Sequence, residues 1–69
     1  MAILSETEKT ILRAMADCNM HVTRAAERCN YSRQTVYDRL LKIEAKTGIN
    51  PNDFRGLVKL LTKIGYFEN

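Results

Sequence analysis

Residues 23–46 read TRAAERCNYSRQTVYDRLLKIEAK, and this stretch decides the fold. Thr23 fits an N-cap, and Arg24 to Cys29 makes a short helix with Ala25, Ala26 and Cys29 turned inward. Asn30 follows, a residue that tolerates the left-handed conformation in which helices end. Tyr31 fills the turn. Ser32 then caps a longer helix running from Arg33 to about Lys46. Val36, Leu40 and Ile43 form its inward stripe at i, i+4 and i+7. Gly48 fits the position just past its end. The spacing therefore predicts two helices joined by a very tight turn.

The flanks extend the helical pattern in both directions. Upstream, Ser5 followed by Glu8 is a capping box, and Ile11, Leu12, Met15 and Cys18 recur at helical spacing. A first helix is predicted from Glu6 to Asp17 or Cys18, broken by the Cys18–His21 stretch. Downstream, Asn50 then Pro51 reads as an N-cap with proline at the first helical position. Asp53 falls in the first turn, where the helix dipole favours an anion. Phe54, Leu57, Val58, Leu61 and Ile64 form the expected apolar face, and Gly65 ends the helix. The prediction is all-α: a four-helix domain, built from a tri-helical core plus a C-terminal helix. No segment reads as a strand.

Length and composition agree. The chain has 69 residues, enough for one domain spanning 1–69 and too few for a large core around a buried cleft. Two cysteines are too few to staple a secreted mini-protein, so reduced thiols are expected. No apolar run approaches the ~20 residues that span a bilayer, and the N-terminus lacks the layout of a secretory signal. The expected location is the cytoplasm, at the nucleoid. The net charge of +3 is concentrated in the middle third. There Arg24, Arg28, Arg33, Arg39, Lys42 and Lys46 outnumber Glu27, Asp38 and Glu44 by three, while the two ends nearly cancel. An anion-binding surface is expected in that third.

The spacing Ala26, Asn30, Val36 matches the internal skeleton of DNA-binding helix–turn–helix units: a small residue where two helices cross, a left-handed turn residue, and an apolar anchor. The stretch from Ala25 to Leu40, AAERCNYSRQTVYDRL, resembles the Fis-type bacterial helix–turn–helix. The continuation from Leu41 to Ile49, LKIEAKTGI, is similar to the tail of the C-terminal helix–turn–helix of PucR-type and sugar-diacid-type transcriptional regulators. The resemblance covers roughly Glu8 to Leu61. Cys29 and Asn30 stand where the family usually has Leu and Gly, and Tyr37-Asp38 replaces the Arg-Tyr pair common in PucR-type domains.

The resemblance implies sequence-specific binding of double-stranded DNA by a bacterial or phage transcriptional regulator. The helix 33–46 would enter the major groove, its N-terminal residues nearest the bases. Arg33 suits guanine or a phosphate, Gln34 suits adenine, and Asp38 can accept from cytosine N4. Tyr37 adds a base or backbone contact. Ser32 and Thr35 can donate to phosphates. Thr23 and Arg24 open the shorter helix, whose amides suit a phosphate. Arg39 and Lys42 extend the backbone contacts. The helix–turn–helix unit is 23–46.

One such unit reads few base pairs, so a homodimer is expected, with half-sites about 34 Å apart. Leu41, Leu60, Tyr66 and Phe67 lie outside the predicted core stripes and are candidates for a subunit or partner surface. The chain opens with its own Met1, which suggests a free-standing module without a small-molecule ligand. The alternative is a protein–protein interaction module or adaptor that uses the same fold without reading DNA. Cys18, His21 and Cys29 lack a fourth ligand, so no metal is expected. No cofactor is expected either. No nucleophile–base pair, paired carboxylates or Gly-rich phosphate loop marks an enzyme.

Overall fold

A computed structural model describes residues 4–68. Its described residues form four helices and no strand: α1 (Glu6–Asp17), α2 (Val22–Cys29), α3 (Arg33–Thr47) and α4 (Phe54–Lys63). α1 packs against each of the other three, and α2 also packs against α3. The core holds Ile11, Leu12 and Met15 of α1, Ala25 and Ala26 of α2, Val36, Leu40 and Ile43 of α3, and Leu57, Leu60 and Leu61 of α4.

α1 begins as its sequence dictates. The Glu8 amide donates to Ser5 Oγ at 3.1 Å, and the Ser5 amide donates to Glu8 Oε1 at 2.8 Å. Glu8 is also fully buried, the one charged residue in the core among the described residues. Its position explains this: it lies three and four residues before Ile11 and Leu12, on the same stripe. Lys46 Nζ, at the far end of α3, donates to Glu8 Oε1 at 2.7 Å. Glu8 Oε2 is buried and has no partner among the described residues. Burial pushes the Glu8 pKa up, but the bonds from Lys46 and Ser5 outweigh it and hold the carboxyl below its ordinary value.

Thr23 is not an N-cap. α2 starts two residues earlier than expected, at Val22, with His21 in the cap position and no side-chain cap hydrogen bond. The cause lies in the preceding turn. Asn19 (φ 55°) and Met20 (φ 66°) are both left-handed, and the Met20 amide donates to Met15 O at 2.6 Å. This abrupt reversal seats Met20 and Val22 against the core and starts the helix at Val22.

The start of α4 differs as well. Asn50 does not cap it, and Pro51 is not its first residue. Asn50 Oδ1 accepts from the Asn52 amide at 2.9 Å, Pro51 is buried in the approach, and Asp53 is the cap, accepting from the Gly56 amide at 3.2 Å. Gly56 fixes the geometry: a Cβ there would lie 2.0 Å from the Asn50 carbonyl oxygen. The Gly56 side of α4 faces inward, carrying Leu57, Leu60 and Leu61 with it. Two expectations fall with this. Phe54 is 69% exposed rather than on the apolar face, and Leu60, expected at a partner surface, is fully buried.

Candidate nucleic-acid interface

The turn between α2 and α3 is three residues long. Asn30 takes the left-handed conformation (φ 62°, ψ 39°), its amide donates to Glu27 O at 3.1 Å, and the Tyr31 amide donates to Ala26 O at 2.9 Å. These bonds close the end of α2. Tyr31 is only partly covered, at 38% exposure, so the peptide path closes the turn more than the ring does. Ser32 then caps α3, accepting from the Thr35 amide at 3.1 Å. Ala26 is buried between α2 and its neighbours, and Val36 and Leu40 anchor α3 beneath it.

The ten residues expected to touch nucleic acid are not all equivalent. Thr23 and Arg24 are exposed in the first turn of α2, displaced from the cap but still beside its free amides. Ser32 and Thr35 share one hydrogen bond, Oγ to Oγ1 at 2.9 Å. One hydroxyl proton is spent within that pair, which leaves one of the two groups able to donate outward. Gln34 and Asp38 sit opposite Val36 and Leu40 at helical periodicity, at the centre of the solvent-facing side of α3. The Gln34 amide donates to Asp38 Oδ1 at 3.1 Å, which orients the amide while leaving its second N–H and its oxygen free.

Arg33 and Tyr37, both exposed, lie on one flank of that face. Arg39 lies on the other flank with Thr35, and both are partly covered. Lys42 is exposed, one turn beyond Asp38. Arg24, Arg33, Arg39 and Lys42 make no ion pair among the described residues, whereas Arg28 lies 3.6 Å from Asp17. An unpaired cation on a solvated face is available for an anion; Arg28 is partly neutralised. Around and past Lys42 the outward side of α3 changes character, with Leu41 just before it and Glu44 and Ala45 beyond it.

Two positioning features went unread in the sequence. Lys46 ties the last turn of α3 to α1 through Glu8; the signal was a carboxylate falling on an apolar stripe. His21, expected as a loop side chain, stands at the α2 N-terminus. Among the described residues no group of His, Cys, Asp and Glu could hold a metal ion.

A tight helix–turn–helix supported by a first helix, followed by a fourth, with unpaired cations around the second and third, defines a helix–turn–helix class of domain. The model of the PucR C-terminal helix-turn-helix domain family matches residues 9–64, and the chain belongs to that family. No curated protein and no solved structure matches the chain. No helix of the described residues is long and apolar enough to cross a membrane.

Proposed function

We propose that the chain reads specific double-stranded DNA as part of transcriptional regulation in a bacterium or phage. It acts as one domain, with residues 23–46 as the reading unit, in the cytoplasm at the nucleoid, and as a homodimer. The observation that carries this reading is the set of four unpaired cations, Arg24, Arg33, Arg39 and Lys42, around a closed helix–turn–helix.

Each residue has a role in it. The first half of α3 lies in the major groove, where Gln34 addresses adenine and Arg33 addresses guanine or the adjacent phosphate. Asp38 holds Gln34 in place and offers its second oxygen to cytosine N4. Tyr37 flanks Arg33. Thr23 and Arg24 present the α2 N-terminus to one phosphate, the Ser32–Thr35 pair donates one hydroxyl to another, and Arg39 and Lys42 follow the backbone.

About four phosphate contacts predict that log K falls with log salt at a slope of about −3 to −4. Fluorescence anisotropy with labelled duplex at several salt concentrations measures it. A second reading, a protein adaptor, draws on Leu41, which is 64% exposed on α3. It predicts no duplex binding and salt-insensitive association with protein.

A further inference from the structure

One large apolar side chain stands in the middle of the solvent-facing side of α3. Leu41 is 64% exposed, the only aliphatic residue among the exposed large hydrophobics of the described residues. It lies outside the core, which takes Leu40 and Ile43 from the same helix. Gln34, Tyr37, Asp38 and Leu41 are all exposed, and they are spaced i, i+3, i+4 and i+7. They therefore form one row over two turns of helix. A helix lying in the major groove addresses successive bases with such a row.

The first three members carry polar groups for base edges. Gln34 and Asp38 share a hydrogen bond at 3.1 Å, which fixes them side by side. Leu41 has neither donor nor acceptor. Among the groups that the four base pairs show in the major groove, only the C5 methyl of thymine is apolar. Leu41 is one turn on from Tyr37 and Asp38, about 5–6 Å along the helix, and base pairs stack about 3.4 Å apart, so it falls about two base pairs further along the groove.

We propose that Leu41 is a specificity-determining residue that packs on the C5 methyl of a thymine, beyond the bases addressed by Gln34 and Asp38. The proposal rests on the DNA reading above and adds an apolar member to it. The neighbouring charges favour this occupant. Arg33 on one flank of the row and Lys42 on the other have no ion pair among the described residues. Burying Leu41 against an apolar protein groove would strip water from both cations, whereas a duplex supplies phosphates to both. Glu44, three residues further on, is exposed and also without an ion pair among the described residues. Its carboxylate repels phosphate, so the row ends at Leu41.

Uracil lacks only the methyl of thymine, so replacing each thymine by uracil in a site selected from a random duplex pool tests the contact. The parent should bind about three- to tenfold more weakly with uracil at one thymine per bound copy. L41A should bind the thymine site more weakly by a similar factor and lose nothing further on uracil at that position. Its salt slope should equal the parent's, because leucine touches no phosphate. Alanine is at least as good a helix former, so helicity and melting should be unchanged. Cytosine methylated at C5 offers the same group, and methylating each cytosine in turn is the second arm. A parent indifferent to uracil at every thymine overturns the proposal, as does an L41A variant that keeps the parent's full uracil penalty. A Leu41-dependent gain at a methylated cytosine, with no uracil penalty anywhere, overturns thymine as the source of the methyl. In each of these cases a selected site exists, so the DNA reading stands and the role of Leu41 alone falls. A pool that enriches no site overturns both.

Discussion

The Lys46 ammonium lies 2.7 Å from Oε1 of Glu8, so the last turn of α3 is pinned to the first turn of α1. The same oxygen accepts the Ser5 amide. One buried carboxylate thus closes the N-terminus of one helix and holds the C-terminus of another.

Lys46→Met removes the cation and leaves a buried carboxylate facing apolar atoms. Loss of one partner of a fully buried pair costs about 3–5 kcal/mol. The Lys46 side chain is 41% exposed and solvent screens it, so a loss of about 1–2 kcal/mol is expected. Urea denaturation measures it. An unchanged midpoint would show that the pair contributes nothing.

The acid limb of stability follows from the same group. Its folded pKa lies below the ordinary 4.5, so the folded state prefers the carboxylate. That stabilisation is complete above the unfolded pKa and disappears as pH falls from about 4.5 through the folded pKa. Glu8→Gln, which keeps the shape, should be less stable at neutral pH and should lose less stability than the parent in that window. Thermal melts at a series of pH values compare the two slopes.

Gly56→Ala should be severely destabilising, by about 3 kcal/mol or more, because the new methyl meets a backbone carbonyl that cannot rotate away. Gly48→Ala is the contrast. Its Cβ would meet nothing within 4 Å, leaving only the strain of φ +72°, about 1 kcal/mol. Calorimetry of both variants should show the larger loss at Gly56.

These positions also show what the sequence makes legible. Caps that use a side chain and its own local backbone were readable: Ser5 with Glu8, Ser32 with Thr35, Asn30 and Gly48 at helix ends. The α3 stripe was readable because only one phase fits Val36, Leu40 and Ile43. α4 offered two phases: Phe54, Val58 and Leu61, or Leu57, Leu60 and Leu61. Side-chain type could not separate them. The contact that does, Gly56 against the Asn50 carbonyl, involves a residue with no side chain. Thr23 misled for a related reason. The α2 start is set by the left-handed pair Asn19 and Met20, and Met gives no hint of that conformation. In the proposed interface, residue types were readable. The sharing of one hydrogen bond by Ser32 and Thr35, and of another by Gln34 and Asp38, needed coordinates.

Asp38 supplies a further prediction. Asp38→Ala removes a negative charge from the solvent-facing side of α3 and frees the Gln34 amide. Binding to arbitrary duplex should tighten, while discrimination at the base pair addressed by Gln34 should fall about tenfold. Competition titrations with single-base variants of a bound site separate the two effects.

The central claim is that α3 reads base sequence, and selection of bound duplexes from a random pool by the purified chain tests it most directly. The account predicts a recurring site, bound by the parent in preference to scrambled duplex, and loss of that preference in R33A/Q34A with the fold intact. A pool with no enriched sequence, or a double variant that binds the selected site as tightly as the parent, would contradict it.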